Sequence, residues 1–298
     1  MGEIILTIGN AIFQGIVQGL TEFLPVSSSG HLSLVQYFTG QSGETGAFFS
    51  ILLHLGTLFA VFVAFFKTIT ALIAEAVFML RDIFARRFSL RDASPERRMV
   101  VLLIVSLLPM AITVVFKDWF SALSSDNSIL AEGLCFLLTS GLLFLSVKCV
   151  GGHKDASTMR YKDAVAMGLV QAVAPLPGLS RSGSTISVGV MMGLDRRFAV
   201  AFSFIMGVPA VLGANVLEIG KAVREGVSIS GGVIAAGLVT SFVFGLLAIK
   251  MVNWLVTSDK FKYFAWYTLI LGSVTVLVAV VEMVSGNAVQ RMMTELLR

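Results

Sequence analysis

Six stretches of this chain, at about residues 47–66, 99–116, 129–149, 198–217, 231–256 and 262–284, run for 18 to 26 residues with almost no charge. A helix of that length matches the hydrocarbon thickness of a bilayer. Inside lipid every backbone N–H and C=O must be paired within its own segment, so each stretch reads as a membrane-spanning helix. Composition points the same way: of 298 residues, 56% are hydrophobic and only 13% charged, against roughly 25% charged in a soluble domain. The net charge of +4 does not indicate a nucleic-acid partner, because the basic residues lie between apolar runs. Cys135 and Cys149 share one apolar run, fourteen positions apart; along a helix that is about 21 Å, too far for a disulfide. No CxxC, HExxH or His-rich cluster supports a structural zinc site. The first residues lack a basic n-region and a cleavage site, so the first segment is expected to be retained.

Two shorter segments break this pattern. Residues 4–39 and 162–194 each start as a helix, stop at proline (Pro25; Pro175 and Pro177), pass through hydroxyls and glycine, and then resume apolar character. After Pro25 the resumed stretch from Ser28 to Thr39 is too short to cross the membrane. Both segments read as re-entrant hairpins, with irregular backbone at depth because it lines a cavity. Asn10, Gln14, Gln18 and Glu22 recur every fourth residue on the first helix, a polar stripe that must face protein or water. Where a half-helix restarts, its first N–H groups are free and its dipole is positive, which suits an anion; plain serine capping would use the same residues.

A shift of 153 residues superposes the two segments without a gap. Ala11 falls on Ala164, Gly15 on Gly168, Val17 on Val170, Gln18 on Gln171, Ser27 on Ser180, Ser29 on Ser182, Gly30 on Gly183, Phe49 on Phe202 and Ser50 on Ser203. The chain therefore reads as one integral membrane domain, 1–298, made of two repeats, 1–153 and 154–298. Each holds a re-entrant hairpin and three spans. An odd number of crossings inverts the second copy, and the hairpins are expected to meet near the bilayer middle, bringing Ser27, Ser28 and His31 beside Ser180, Arg181 and Thr185. One side of this topology collects 16 of the 22 Lys and Arg residues, including the cluster from Arg81 to Arg98, expected to be a solvated face. That side is expected to be cytoplasmic, with both termini and the site facing outward.

The chemistry lies where the repeats differ: Ser28 against Arg181, Glu22 against Pro175, His31 against Ser184. Ionisable groups inside a membrane are costly, which makes Glu22, His31 and Arg181 functional candidates. Arg181 offers a planar fork of donors, and Ser180, Ser182 and Thr185 complete a cradle for a phosphorylated ligand. Gln18 and Glu22 share a helical face and can offer two oxygens to a divalent cation. Ser28 is a candidate nucleophile with Glu22 or His31 as base; His31 is the rival nucleophile, and activated water a third route. His54 is expected to be a buried hydrogen bonder, Glu132 a first-turn acid, and His153 a loop residue.

Three stretches, Gln18-Gly-Leu-Thr-Glu22, Pro25-Val-Ser-Ser-Ser-Gly-His31 and Pro177-Gly-Leu-Ser-Arg-Ser-Gly-Ser-Thr185, match the (E/Q)xxxE, PVSS(S/T)GH and PGxSRSxxT patterns of the bacterial undecaprenyl pyrophosphate phosphatases. In its span order nearly the whole chain resembles that bacitracin-resistance family. The resemblance implies an all-α fold of interdigitated inverted repeats in the bacterial plasma membrane. It implies hydrolysis of the terminal phosphate of undecaprenyl pyrophosphate, an isoprenoid lipid, to recycle the cell-wall carrier, and sensitivity to bacitracin. It further implies a catalytic set of Glu22, Ser28, His31 and Arg181, phosphate contacts from Ser27, Ser180, Ser182 and Thr185, and a divalent cation, Mg2+ or Ca2+, at Gln18 and Glu22. Gln18 stands where the first motif allows either Gln or Glu, which is expected to weaken the cation site. Membrane lipids and a second copy of the chain are the further candidate partners. Inverted repeats with broken helices are also transporter architecture, so a flippase for a phosphorylated isoprenoid lipid is the competing reading.

Overall fold

A computed structural model describes residues 6–41, 44–91, 93–116, 119–120, 128–149, 152–225, 229–257 and 260–296. Among them the chain is helical, with one isolated bridge between Lys154 and Leu194. Lys117 and Arg298, counted in the charge balance, fall outside the described residues.

The first hairpin is α1 (Ile8–Phe23) and α2 (Ser28–Thr39). Leu24, before Pro25, is extended (ψ 142°), as the clash with a following proline ring requires, and the helix stops there. The second hairpin is α8 (Tyr161–Val173) and α9 (Arg181–Met191). These half-helices have 16, 12, 13 and 11 residues, which at about 1.5 Å per residue leaves each short of the roughly 30 Å hydrocarbon layer. Between the hairpins lie α3 (Glu44–Ala64), α4 (Phe66–Phe84), α5 (Pro95–Leu107), a 3-10 turn at Pro109 that leads into α6 (Ala111–Val115), and α7 (Leu130–Val147). After them come α10 (Arg196–Glu225), α11 (Gly231–Thr257), α12 (Lys262–Ser285) and α13 (Ala288–Leu296). Among the described residues six segments are long and apolar enough to cross a membrane: 45–64, 95–115, 130–147, 196–222, 231–256 and 262–285. They coincide with the six runs expected from the sequence to within a few residues. Outward side chains such as Phe59, Val239, Ile270 and Leu277 are 60% or more exposed, an apolar surface that fits lipid and not water.

Small residues let backbones meet where dispersion and shape drive helix association. A side chain at Gly15 or Gly19 of α1 would run into Gly237, Ser241 and Gly245 of α11. Gly168 of α8, the repeat partner of Gly15, lies against the Ser106 carbonyl of α5. Each hairpin thus packs on a span from the other half of the chain, while Gly133 and Gly272 join α7 to α12. The largest core cluster, containing Phe23, Met167, Ile186, Phe202 and Phe204, fills the space between the hairpins and α10.

The basic segments meet at one end. Arg98 donates to the carbonyls of Ala156 and Met159, Arg196 to that of Val256, and Lys154 to Asp163 and the Met192 carbonyl. Asp155 in this link accepts from the Thr158 hydroxyl and nearby backbone N–H groups, which hold its carboxyl below the ordinary carboxylate range. The Arg81–Arg98 cluster is more structured than a solvated face: Arg97 pairs with Glu75 (2.6 Å) and Asp82 (2.7 Å), tying α4 to the start of α5. Cys135 and Cys149 are free thiols. At the other end α13 clamps α2, Gln290 and Thr294 donating to the carbonyls of Tyr37 and Phe38.

Candidate active site

The two helix restarts are built alike. Ser27 caps α2 by accepting from Gly30 N at 3.3 Å, and Ser180 caps α9 by accepting from Gly183 N at 3.0 Å. The Ser27 and Ser29 hydroxyls lie 3.2 Å apart, those of Ser180 and Ser182 3.3 Å apart. All of these are repeat partners at the 153-residue offset. Ser27 differs in backbone: its φ of 71° is unusual for a residue other than glycine, a strained conformation of the kind that persists at functional turns. In the second loop Gly178 has φ 90°, and a Cβ there would strike the Glu132 backbone. Thr139 of α7 supports that loop by accepting from Ser180 N and donating to the Gly178 carbonyl.

The restarts meet. Ser182 of α9 donates to the carbonyls of Glu22 and Leu24 at the end of α1, and Gly30 has room for no side chain against Gly178 and Phe136. At the junction sits Glu22, 7% exposed. Its Oε2 accepts from Ser28 Oγ at 2.6 Å and from Gln18 Nε2 at 2.9 Å, and its Oε1 accepts from Arg181 Nη2. Glu22, Ser28 and Arg181 therefore form one cluster, drawn from residues 159 apart in the chain. A narrow crevice at the Glu22–Arg181 pair opens between α3 and α10, with Leu58, Val61, Phe204 and Val208 among its walls. A larger cavity of about 560 Å3 lies away from this cluster, with Lys148, Arg196 and Lys262 in its lining.

His31 stands apart from the carboxylate. Its Nδ1 is 2.6 Å from the Ser27 carbonyl and its Nε2 2.7 Å from the Tyr267 hydroxyl, with the two rings stacked. Thr185 is also turned from Glu22, bonding the Arg181 carbonyl and the Ser203 hydroxyl at 2.6 Å. Gln18 turns its amide nitrogen to Glu22 and keeps a buried carbonyl oxygen with no hydrogen-bond partner. No group of three or more His, Cys, Asp or Glu suited to a metal exists among the described residues.

Three features escaped sequence reasoning. His54 does bond a carbonyl, that of Ser50 at 2.7 Å, and it also brings Nε2 to 3.5 Å from Glu22 Oε2. Gly207 of α10 leaves the space that the Arg181 guanidinium fills. His54 and Gly207 are themselves 153 residues apart, so repeat arithmetic pairs Ser28 and His54 of one half with Arg181 and Gly207 of the other. Glu132, expected only as a first-turn acid, is buried and accepts from the Ser33 hydroxyl of α2 at 2.6 Å.

The model of one family, bacitracin resistance protein BacA, matches residues 11–274 of the chain. Similar proteins include the undecaprenyl-diphosphatase of Alkaliphilus metalliredigens, 39% identical over 274 residues that cover 91% of this chain and 98% of that protein. That of Methanosphaera stadtmanae is 37% identical over 283 residues (93% and 99%), and that of Bacteroides fragilis strain YCH46 is 38% identical over 274 residues (90% and 97%).

Proposed function

The chain belongs to the bacitracin resistance protein family, and from that premise we propose that the Glu22–Ser28–Arg181 cluster is where it works as an undecaprenyl-diphosphatase. It hydrolyses undecaprenyl diphosphate to undecaprenyl phosphate and phosphate and so returns the lipid carrier for reuse; relatives that carry this name over almost their whole length turn the choice away from a flippase. The observation that carries the assignment of the site is the 2.6 Å hydrogen bond from Ser28 Oγ to Glu22 Oε2, made while Arg181 holds the other oxygen of the same carboxylate.

Glu22 is placed to take the serine proton as Oγ attacks the terminal phosphorus, while His31 is engaged with Ser27 and Tyr267. The bridging P–O bond breaks with its electron pair on the lipid monophosphate, and water then displaces Ser28 from phosphorus, Glu22 returning a proton to Oγ. Arg181 has a second face of donors for equatorial phosphate oxygens, and its release from Glu22 as substrate binds couples recognition to freeing the base. Free N–H groups at the starts of α2 and α9, with Ser27, Ser180, Ser182 and Thr185 fixing the two turns, supply the remaining positive field. A divalent cation would be held by Gln18 and Glu22, once the Gln18 amide presents its free oxygen in place of the nitrogen that now faces Glu22, and would supply positive charge for the diphosphate. The narrow crevice between α3 and α10 reaches this cluster, and parting of these two helices would be needed to admit the lipid tail from the bilayer.

Gly15 and Gly168 at equivalent close contacts, and the matching caps at Ser27 and Ser180, support the reading of two inverted repeats. The meeting of the basic segments at one end supports a cytoplasmic placement for that end, which leaves the site and both termini outward. Acid-quenched incubation with substrate labelled in its terminal phosphate tests the nucleophile. Label on a peptide containing Ser28, absent in Ser28→Ala, is expected; label on His31, or wild-type turnover by Ser28→Ala, overturns the serine route.

A further inference from the structure

The cavity of about 560 Å3 that lies away from Glu22 is walled by the ends of four spans. Lys148 comes from the end of α7, Arg196 from the start of α10 and Lys262 from the start of α12, while Val256 closes the ring from the end of α11. All four ends lie at one membrane edge, the edge at which the basic segments gather. Trp254, Tyr263 and Trp266 stand exposed on α11 and α12 within about a turn of it, the aromatic belt of a membrane–water interface. The inner wall is apolar: Ile186 and Val190 of α9 and the ring of Phe261, all buried.

Among the described residues the lining holds three cations and no carboxylate. Lys148 and Lys262 are exposed, and neither pairs with an acid among the described residues. Arg196 is fixed in the wall by donating to the Val256 carbonyl at 3.3 Å. Asp195, next to it in the chain, caps α10 by accepting from Phe198 N at 3.0 Å. Three like charges around one void repel each other, and an anion among them relieves that. A free phosphate ion would answer the cations and leave the apolar wall wet, whereas an anion with an apolar tail answers both. Basic pockets between span ends are where anionic lipid headgroups dock. The volume lies within the roughly 300–1,000 Å3 of small-molecule sites, room for a phosphate headgroup and the first methylenes of its chains.

We propose that this cavity holds the headgroup of an anionic membrane phospholipid, its phosphate among Lys148, Arg196 and Lys262 and its chains leaving past the exposed aromatic rings into the bilayer. The inference goes beyond the phosphatase reading, since no lining residue belongs to the Glu22–Ser28–Arg181 cluster. The lipid packs behind α9, the half-helix that begins with Arg181, and ties the second hairpin to α7, α11 and α12. Cys149 makes the site readable: it lines the cavity as a partly exposed free thiol, while Cys135, the other cysteine of the chain, is buried.

The test is the rate at which a maleimide labels the peptide containing Cys149 in the full chain, stripped of lipid in detergent and titrated with phosphatidylglycerol, phosphatidylcholine, an isoprenyl monophosphate or inorganic phosphate. Phosphatidylglycerol should slow labelling about fivefold or more and raise the melting temperature, and phosphatidylcholine should do neither. Lys148→Gln and Lys262→Gln should label as wild type without lipid, yet each should raise the half-protecting concentration of phosphatidylglycerol about fivefold. Equal protection by the two phospholipids overturns the proposal, as does protection by phosphatidylglycerol that persists unchanged in the double variant. Protection by inorganic phosphate or the isoprenyl monophosphate at concentrations where phosphatidylglycerol gives none also overturns it, and assigns the cavity to a soluble anion or to the reaction product.

Discussion

Glu22 serves four neighbours with two oxygens, and the chemistry turns on that economy. Glu22→Gln keeps the shape and removes the proton acceptor, so phosphate release should fall by about a thousandfold or more with the protein still folded, measured as kcat beside a melting curve. Gly207→Ala places a methyl in the volume of the Arg181 guanidinium. A shift of that group by about 1 Å is expected to lower kcat/KM some hundredfold without touching any residue of the motifs. The motifs made Glu22, Ser28 and Arg181 legible because each stands in a polar run inside apolar surroundings. His54 and Gly207 were not, since one imidazole and one glycine within apolar spans carry no local signal. Only the fold brings His54 to a carboxylate 32 positions earlier in the chain.

The half-helices depend on what holds their breaks. Ser180 N has its acceptor in the Thr139 hydroxyl at 3.0 Å; Thr139→Val leaves that buried N–H unpaired, at a cost of about 1–3 kcal/mol. A lowered melting temperature together with weaker substrate binding is expected, because the same loop presents Arg181. Gly19→Leu should be more damaging, as its side chain meets the Ser241 carbonyl and Gly245 backbone of α11 directly. The hairpins were readable from Pro25, Pro175 and the serine caps, whose meaning is local. The left-handed φ of Ser27 and the ties of Arg97 to Glu75 and Asp82 were not readable, because they are set by partners on other elements.

In the whole molecule, the span count followed from length and apolarity alone, and the family from three motifs in order. The packing of each hairpin on a span from the other half followed from neither, since glycine contacts leave no spacing rule between distant segments. Orientation has a direct check: a cysteine at the exposed Met292 should label from outside intact cells, and one at the exposed Phe88 only after the membrane is opened. The most direct test of the central claim is phosphate release from a long-chain isoprenyl diphosphate by purified protein in detergent, comparing wild type with Arg181→Lys and Arg181→Ala. Lysine keeps the charge but loses the fork that spans Glu22 and phosphate, so the account predicts release by wild type, a large loss in Arg181→Lys and near abolition in Arg181→Ala. Wild-type rates in Arg181→Ala would contradict it.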